Sequence, residues 1–242
     1  MLALAALLAT AAIGWPDLHQ EPPFAVSLGS MYGRKVLAFG SAVDVAGGGP
    51  LVLRGARRPG QAEMGVTQLV RRGDGGWLGL PLRARLRYVV ARTHRHWHLQ
   101  AFERYELRRV GGGEIVGTAR KAGFCLGDRY RQGLAVTRPG EPDSAVYLGE
   151  CGRGQPHATA IVQGISVGYG DDYPPQKEGQ YVDVTGLAPG RYVLVHRADP
   201  QRLLHLANRR DDVASALIEL HGSARPSAVV VRRCPASATC GT

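Results

Sequence analysis

Apolar and polar residues alternate over short stretches along most of this chain, and clusters of Gly, Pro and Asp interrupt the alternation. Period-two alternation puts one face of a strand on a core and the other towards water. The pattern predicts strands over 35–45, 51–54, 66–70, 82–90, a histidine-containing segment after residue 92, 102–110, 114–118, 181–185, 190–197 and 227–233. Gly47-Gly48-Gly49-Pro50, Gly73-Asp74-Gly75-Gly76 and Gly111-Gly112-Gly113 supply turns between them. The region 128–150, with Pro139-Gly140 and Pro142-Asp143, is the least patterned and reads as a loop. Helical periodicity is weak, with a single turn expected at 203–206, and no repeat recurs at a fixed period. The expected fold is all-β: a single-domain β-sandwich over 15–242 with long loops and little helix.

A chain of 242 residues can bury the core of one such domain, and 33 Gly with 15 Pro suit many short strands joined by turns. The formal net charge is +10. Its basic residues are mostly Arg, spread from Arg34 to Arg233, and no nucleic-acid-binding motif accompanies them, so no nucleic-acid partner is expected. Residues 1–14 are almost wholly apolar but too short to span a bilayer, so no stable membrane span is expected. With Ala9-Thr10-Ala11 as an Ala-x-Ala pattern, they read as the apolar part of a secretory signal whose basic leading region is missing. Four cysteines agree with a secreted protein: Cys234 and Cys240 sit close together, which leaves Cys125 and Cys151 as the second disulfide pair.

The segment Thr93-His94-Arg95-His96-Trp97-His98 places an imidazole at every second residue. On a strand, His94, His96 and His98 project from one face and form a site for copper or zinc. The plain alternative is a polar face on an edge strand, but histidine is scarce and here fills three consecutive same-face positions. Elsewhere, Lys121 lies four residues before Cys125, and Gly168-Tyr169-Gly170-Asp171-Asp172-Tyr173 reads as an acidic, tyrosine-containing turn.

In this combination the chain resembles the lysyl oxidase family. That family carries a His-x-His-x-His copper site followed by a Phe-x-x-Tyr-(Asp/Glu)-Leu run, matched by Phe102 to Leu107. Its Lys-Ala-x-Phe-Cys-Leu-x-Asp segment is matched by Lys121 to Asp128. Its Gly-x-x-Asp-x-Tyr segment, leading into an aromatic-(Ile/Val)-Asp-(Ile/Val)-Thr strand, is matched by Asp171, Tyr173 and Tyr181 to Thr185. Four such pieces in order, over roughly 82–208 and more weakly 36–55, are a specific signature. The resemblance implies that His94, His96 and His98 bind Cu²⁺, and that Lys121 and Tyr173 join into lysine tyrosylquinone. Asp171 falls at the position of the family's proposed catalytic base. Two further family histidines fall near Ala91 and at Arg104, and 208–211 only partly match an Asn-rich segment.

The implied activity is oxidative deamination of primary amines, either peptidyl lysine or small amines, by O₂, giving aldehyde, H₂O₂ and ammonia. No ordinary side chain accepts two electrons from an amine, so a carbonyl cofactor must act as the electron sink. Two other readings stand beside this one: an exported, non-catalytic metal-binding β-sandwich, and a cupin-like Fe or Mn enzyme suggested by His96, His98 and Glu103. A cationic substrate would be repelled by a basic protein, which predicts a local acidic mouth from Asp171, Asp172 and Glu178. His157 is a possible extra polar group near the site, whereas His19, His196, His205 and His221 have no spacing that recommends them.

Overall fold

A computed structural model describes residues 12–91, 94–111, 113–119, 121, 123–133, 137–177, 179–222 and 226–241. Most of the apolar start, together with Thr93 and Glu178, lies outside these described residues.

The described residues form strands and connecting turns, with no helix among them. In chain order the strands are β1 (Ile13–Gly14), β2 (Pro16–Gln20), β3 (Phe24–Met31), β4 (Arg34–Gly47), β5 (Leu51–Ala56) and β6 (Glu63–Arg72). Next come β7 (Trp77–Val90), β8 (Arg95–Gln100), β9 (Glu103–Arg109), β10 (Ile115–Thr118), β11 (Gly123–Phe124) and β12 (Tyr130–Arg131). The last six are β13 (Ala160–Ile165), β14 (Tyr169–Tyr173), β15 (Tyr181–Asp183), β16 (Gly190–Ala198), β17 (Val213–His221) and β18 (Ser227–Cys234).

They assemble into three antiparallel sheets. One runs β11-β8-β7-β6-β5-β13 with β1 on β6, and another runs β10-β9-β16-β17-β18. The third runs β12-β14-β4-β15, with β2 and β3 also on β4. One hydrophobic cluster joins all three: Met64, Val66 and Leu86 from the first, Tyr105, Leu107 and Leu194 from the second, and Leu37, Phe39 and Val43 from the third. The expected all-β architecture is therefore present, with three sheets around that core. No helix of the described residues is long and apolar enough to cross a membrane.

The central strand is β4. It pairs with β3 and β15 along its first half and with β2 and β14 along its second. It is buried on both faces, which is why 36–46 reads as a nearly continuous apolar run. By contrast β6 has one buried face, with Met64, Val66, Gln68 and Val70 pointing inward at every second position.

Several expectations need correction. Gly168 turns the chain with positive φ, but the acidic segment after it is strand β14, paired with β4 and β12, and not a turn. Its acids occupy two different faces: Asp171 is buried and Asp172 is half-buried. The helical turn expected at 203–206 is absent. The amides of Leu203 and Leu204 are taken by the Asp199 carboxylate, and that of His205 by Gln68, so side chains replace helical hydrogen bonds. Strands β3, β13 and β17 were not expected: β3 alternates along Phe24–Gly29, whereas β17 is buried at eight consecutive positions but for Glu219 and shows no period-two signal.

Candidate metal centre and active site

The first sheet positions the histidines. In β8, Trp97 and Leu99 point into the core and are almost fully buried, which turns His96 and His98 to the opposite face. Pairing with β7 sets Val89 opposite His96 and Arg87 opposite His98. His94, just before the strand, completes the group: the three ring centroids are 4.8 to 5.1 Å apart, and one ligand nitrogen from each lies within 4.8 Å of the others. His96 Nδ1 is buried and accepts no hydrogen bond from the described residues. Burial lowers the His96 imidazole to about 4, helped by the neighbouring His94, and lowers His98 to about 2. Both rings are therefore neutral at ordinary pH, with lone pairs able to bind a metal.

Glycine at 123 is needed for this packing. Strand β11 lies beside β8, and a Cβ at this position would sit 2.9 Å from His98 Cβ and from Gln100 Nε2. β11 carries the chain from Lys121 past Phe124 to Cys125, which is disulfide-bonded to Cys151; Cys234 and Cys240 form the second bridge.

The third sheet brings up Tyr173 at the end of β14. Its hydroxyl accepts from the Cys125 amide at 3.0 Å and donates to the Cys125 carbonyl at 2.9 Å. Its ring meets Phe124 edge-on at 4.9 Å. Lys121 Nζ lies 4.3 Å from the Tyr173 ring centroid and 4.8 Å from that of Phe124. The amine and the phenol are thus neighbours, and the Lys121 charge also acts on His96 and His98. Burial, and then Asp171, raise the Tyr173 phenol well above its ordinary value, so it stays protonated.

Asp171 lies two residues earlier on the same strand face and is 2 % exposed. Its carboxylate sits 3.4 Å from Arg129 Nε and accepts from the Gly127 amide at 3.3 Å. Burial raises its proton affinity well above that of a surface aspartate, against the opposing pull of Arg129. An Asp171 so buried cannot serve as a solvent-facing acidic mouth, Asp172 is half-buried, and Glu178 lies outside the described residues. His157 is exposed, on the segment before β13.

Two groups hold places that the sequence did not give them, Glu103 having been read there only as a cupin-like metal residue. Glu103 is buried, accepts from Ser41 Oγ at 2.9 Å and from the Tyr105 hydroxyl, and is pushed up to about 7 by burial. Ser41 is the cross-strand partner of Tyr173, so this carboxyl lies behind the same site. The signal was present: alternation along 102–110 puts Glu103 on the face of Tyr105 and Leu107. Asp17, His19 and Asp211 form a second group, with ligand-type atoms within 4.8 Å of one another and His19 Nε2 3.0 Å from Asp211. It ties β2 to the segment before β17, residues remote in sequence.

The family model for lysyl oxidase matches residues 75–234, a span that contains the histidine cluster, Lys121, Asp171 and Tyr173. The chain belongs to the lysyl oxidase family. It is 27 % identical over 144 residues to human lysyl oxidase homolog 1, covering 59 % of this chain and 22 % of that protein. It is 26 % identical over 149 residues to rat protein-lysine 6-oxidase, covering 59 % and 31 %. A zebrafish relative, lysyl oxidase homolog 3A, is 34 % identical over 115 residues, covering 47 % and 13 %. The chain thus matches less than a third of the length of each of these relatives.

Proposed function

We propose that this chain is a copper-dependent amine oxidase, using O₂ and a lysine tyrosylquinone made from Lys121 and Tyr173 to convert primary amines to aldehydes with release of H₂O₂ and ammonia. One observation carries the reading: the Lys121 amine lies 4.3 Å from the centroid of the Tyr173 ring, in the field of a three-imidazole cluster. Neutral imidazoles at mutual ligand distance, one with a buried nitrogen lacking a partner, suit Cu²⁺ held by His94, His96 and His98. Copper there would supply reaction with O₂, and the quinone would supply the electron sink that amine oxidation requires.

The chain's own groups divide the remaining work. The Cys125 backbone grips the Tyr173 hydroxyl from both sides and so fixes the ring beneath Lys121. Lys121 must be neutral to add to that ring, because an ammonium nitrogen has no lone pair with which to attack. Asp171 is the base: a carboxylate of raised proton affinity, oriented by Arg129, is suited to take a proton from carbon beside a substrate nitrogen. Two disulfides fit an oxidising, extracellular setting. Peptidyl lysine is a candidate substrate because relatives are named protein-lysine 6-oxidase, and small amines stand beside it.

The test is a quinone-redox stain on protein expressed with copper and oxygen. The wild type is expected to stain, while Lys121→Ala, Tyr173→Phe and His96→Ala are expected not to, at unchanged circular dichroism. Full quinone content in His96→Ala would overturn the metal assignment. An unstained, copper-loaded wild type would favour a non-catalytic metal-binding sandwich, and bound Fe or Mn in place of copper would favour the cupin-like reading. Measuring H₂O₂ release over a panel of primary amines then defines the substrate.

A further inference from the structure

The charges around this site suit an acidic carrier of the amine. The chain carries a net +10, and a bare cationic substrate would approach it against that field. Directly opposed residues of an antiparallel pair project to the same face, so Arg87 and Val89 of β7 share the face of His98 and His96. Along β7 away from the histidines, Arg85 and Arg83 continue at every second position. All three arginines are exposed, while Ala84 and Leu86 between them are buried. Arg87 is engaged by Glu63 at 2.5 Å, but among the described residues no carboxylate lies within 4.0 Å of Arg83 or Arg85. Arg85 Nη1 donates to the carbonyls of Arg83 at 3.3 Å and Ala84 at 2.9 Å, which orders its guanidinium over the sheet. The floor beside the row is low: Gly65 faces Arg85 across β6, and Ala56 faces Gly65 from β5.

We propose that Arg83, Arg85 and Arg87 form a docking track for an extended acidic peptide, whose carboxylates recur at every second residue and which presents a lysine amine to the histidine cluster at the end of the track. The period is the argument. An extended peptide repeats its same-side side chains every two residues, about 6.8 Å, a period that Arg85 and Arg87 share on regularly paired β7, while Arg83 follows on the same exposed side across a bulge opposite Gly65 and Val66. Guanidinium groups bind carboxylates through paired hydrogen bonds, so the match is chemical as well as geometric. A nucleic acid would call for exposed aromatic surfaces to stack its bases. The aromatic side chain at the far end of β7, Trp77, is exposed but already carries the Arg71 guanidinium on its ring at 4.8 Å. The delivery of the amine rests on the oxidase reading; the docking does not.

Binding to the metal-free protein tests the docking separately, by fluorescence anisotropy of a labelled peptide of alternating Glu and Ser with one Lys. The wild type is expected to bind it at least about tenfold more tightly than the same peptide with Gln for Glu, and Arg83→Gln/Arg85→Gln is expected to lose about that factor. Raising the salt should weaken wild-type binding more than that of the double variant. Equal binding of the Gln peptide, unchanged binding by the double variant, or equally tight binding of a single-stranded oligonucleotide of the same charge overturns the proposal. In the copper-loaded protein, kcat/KM for the acidic peptide should fall about tenfold in the double variant, while that for a small neutral-tailed amine stays unchanged. Wild-type protein that binds the peptide as expected yet oxidises no amine refutes the oxidase reading and supports the track.

Discussion

A single hydrogen at position 123 decides how closely Lys121's segment can approach the histidines. Gly123→Ala would force a methyl to within 2.9 Å of His98 Cβ, so His98 or β11 must shift. Copper affinity, measured by competition with a chelator, is expected to fall at least about tenfold with little loss of secondary structure, since displaced ligand support typically costs 10–100-fold. Wild-type affinity in this variant would show that β11 does not set the ligand geometry. The histidine trio was legible residue by residue, because strand alternation alone puts His94, His96 and His98 on one side. Glu103 was equally available from alternation along its strand. Its buried place behind Tyr173 was not read, because burial of an acid depends on Ser41 and Tyr105, donors that only the assembled sheets bring together.

Among the elements, the connection between β11 and β13 carries the second requirement. The Cys125–Cys151 bridge spans 26 residues and fixes the backbone that grips Tyr173, whereas Cys234–Cys240 spans 6 at the far edge of another sheet. Loop-closure entropy gives about 3 kcal/mol for the larger ring and about 2 kcal/mol for the smaller. Urea unfolding of Cys125→Ala/Cys151→Ala is expected to show the larger loss and to be accompanied by failure of quinone formation. Cys234→Ala/Cys240→Ala should retain quinone formation at a temperature where it is folded. Quinone formation equal to wild type in the first variant would separate the bridge from the site. At this scale the sequence was read wrongly at β14: two adjacent acids looked like a turn because isolated acids favour solvent. Pairing with β4 and the Arg129 partner make burial of Asp171 tolerable.

For the molecule as a whole, stability should depend on pH through buried groups with opposite leanings. Glu103 titrates near 7 in the folded chain and near 4.5 unfolded, so the folded form holds the extra proton between those values. Its contribution is present below about 4.5 and lost as pH rises through about 7. His196 is fully buried between Phe39 and Tyr105 and lowered to about 3, so the unfolded chain takes up the proton first and stability is lost as pH falls from 6.5 towards 3. Maximum stability is expected between these limbs. Glu103→Gln should gain on the wild type, by on the order of 2 kcal/mol in urea unfolding, as pH rises from 5 to 7.5. A constant difference across that range would show that Glu103 keeps one protonation state. The all-β class, the same-face histidine trio and the cysteine pairing follow from local rules of alternation and spacing, which need no knowledge of distant residues. The meeting of Lys121 with Tyr173 on the residue scale, the burial of Asp171 and Glu103, and the alignment of the β7 arginines with the histidine face do not. They depend on which strands become neighbours, and that is settled by the packing of three sheets around one core.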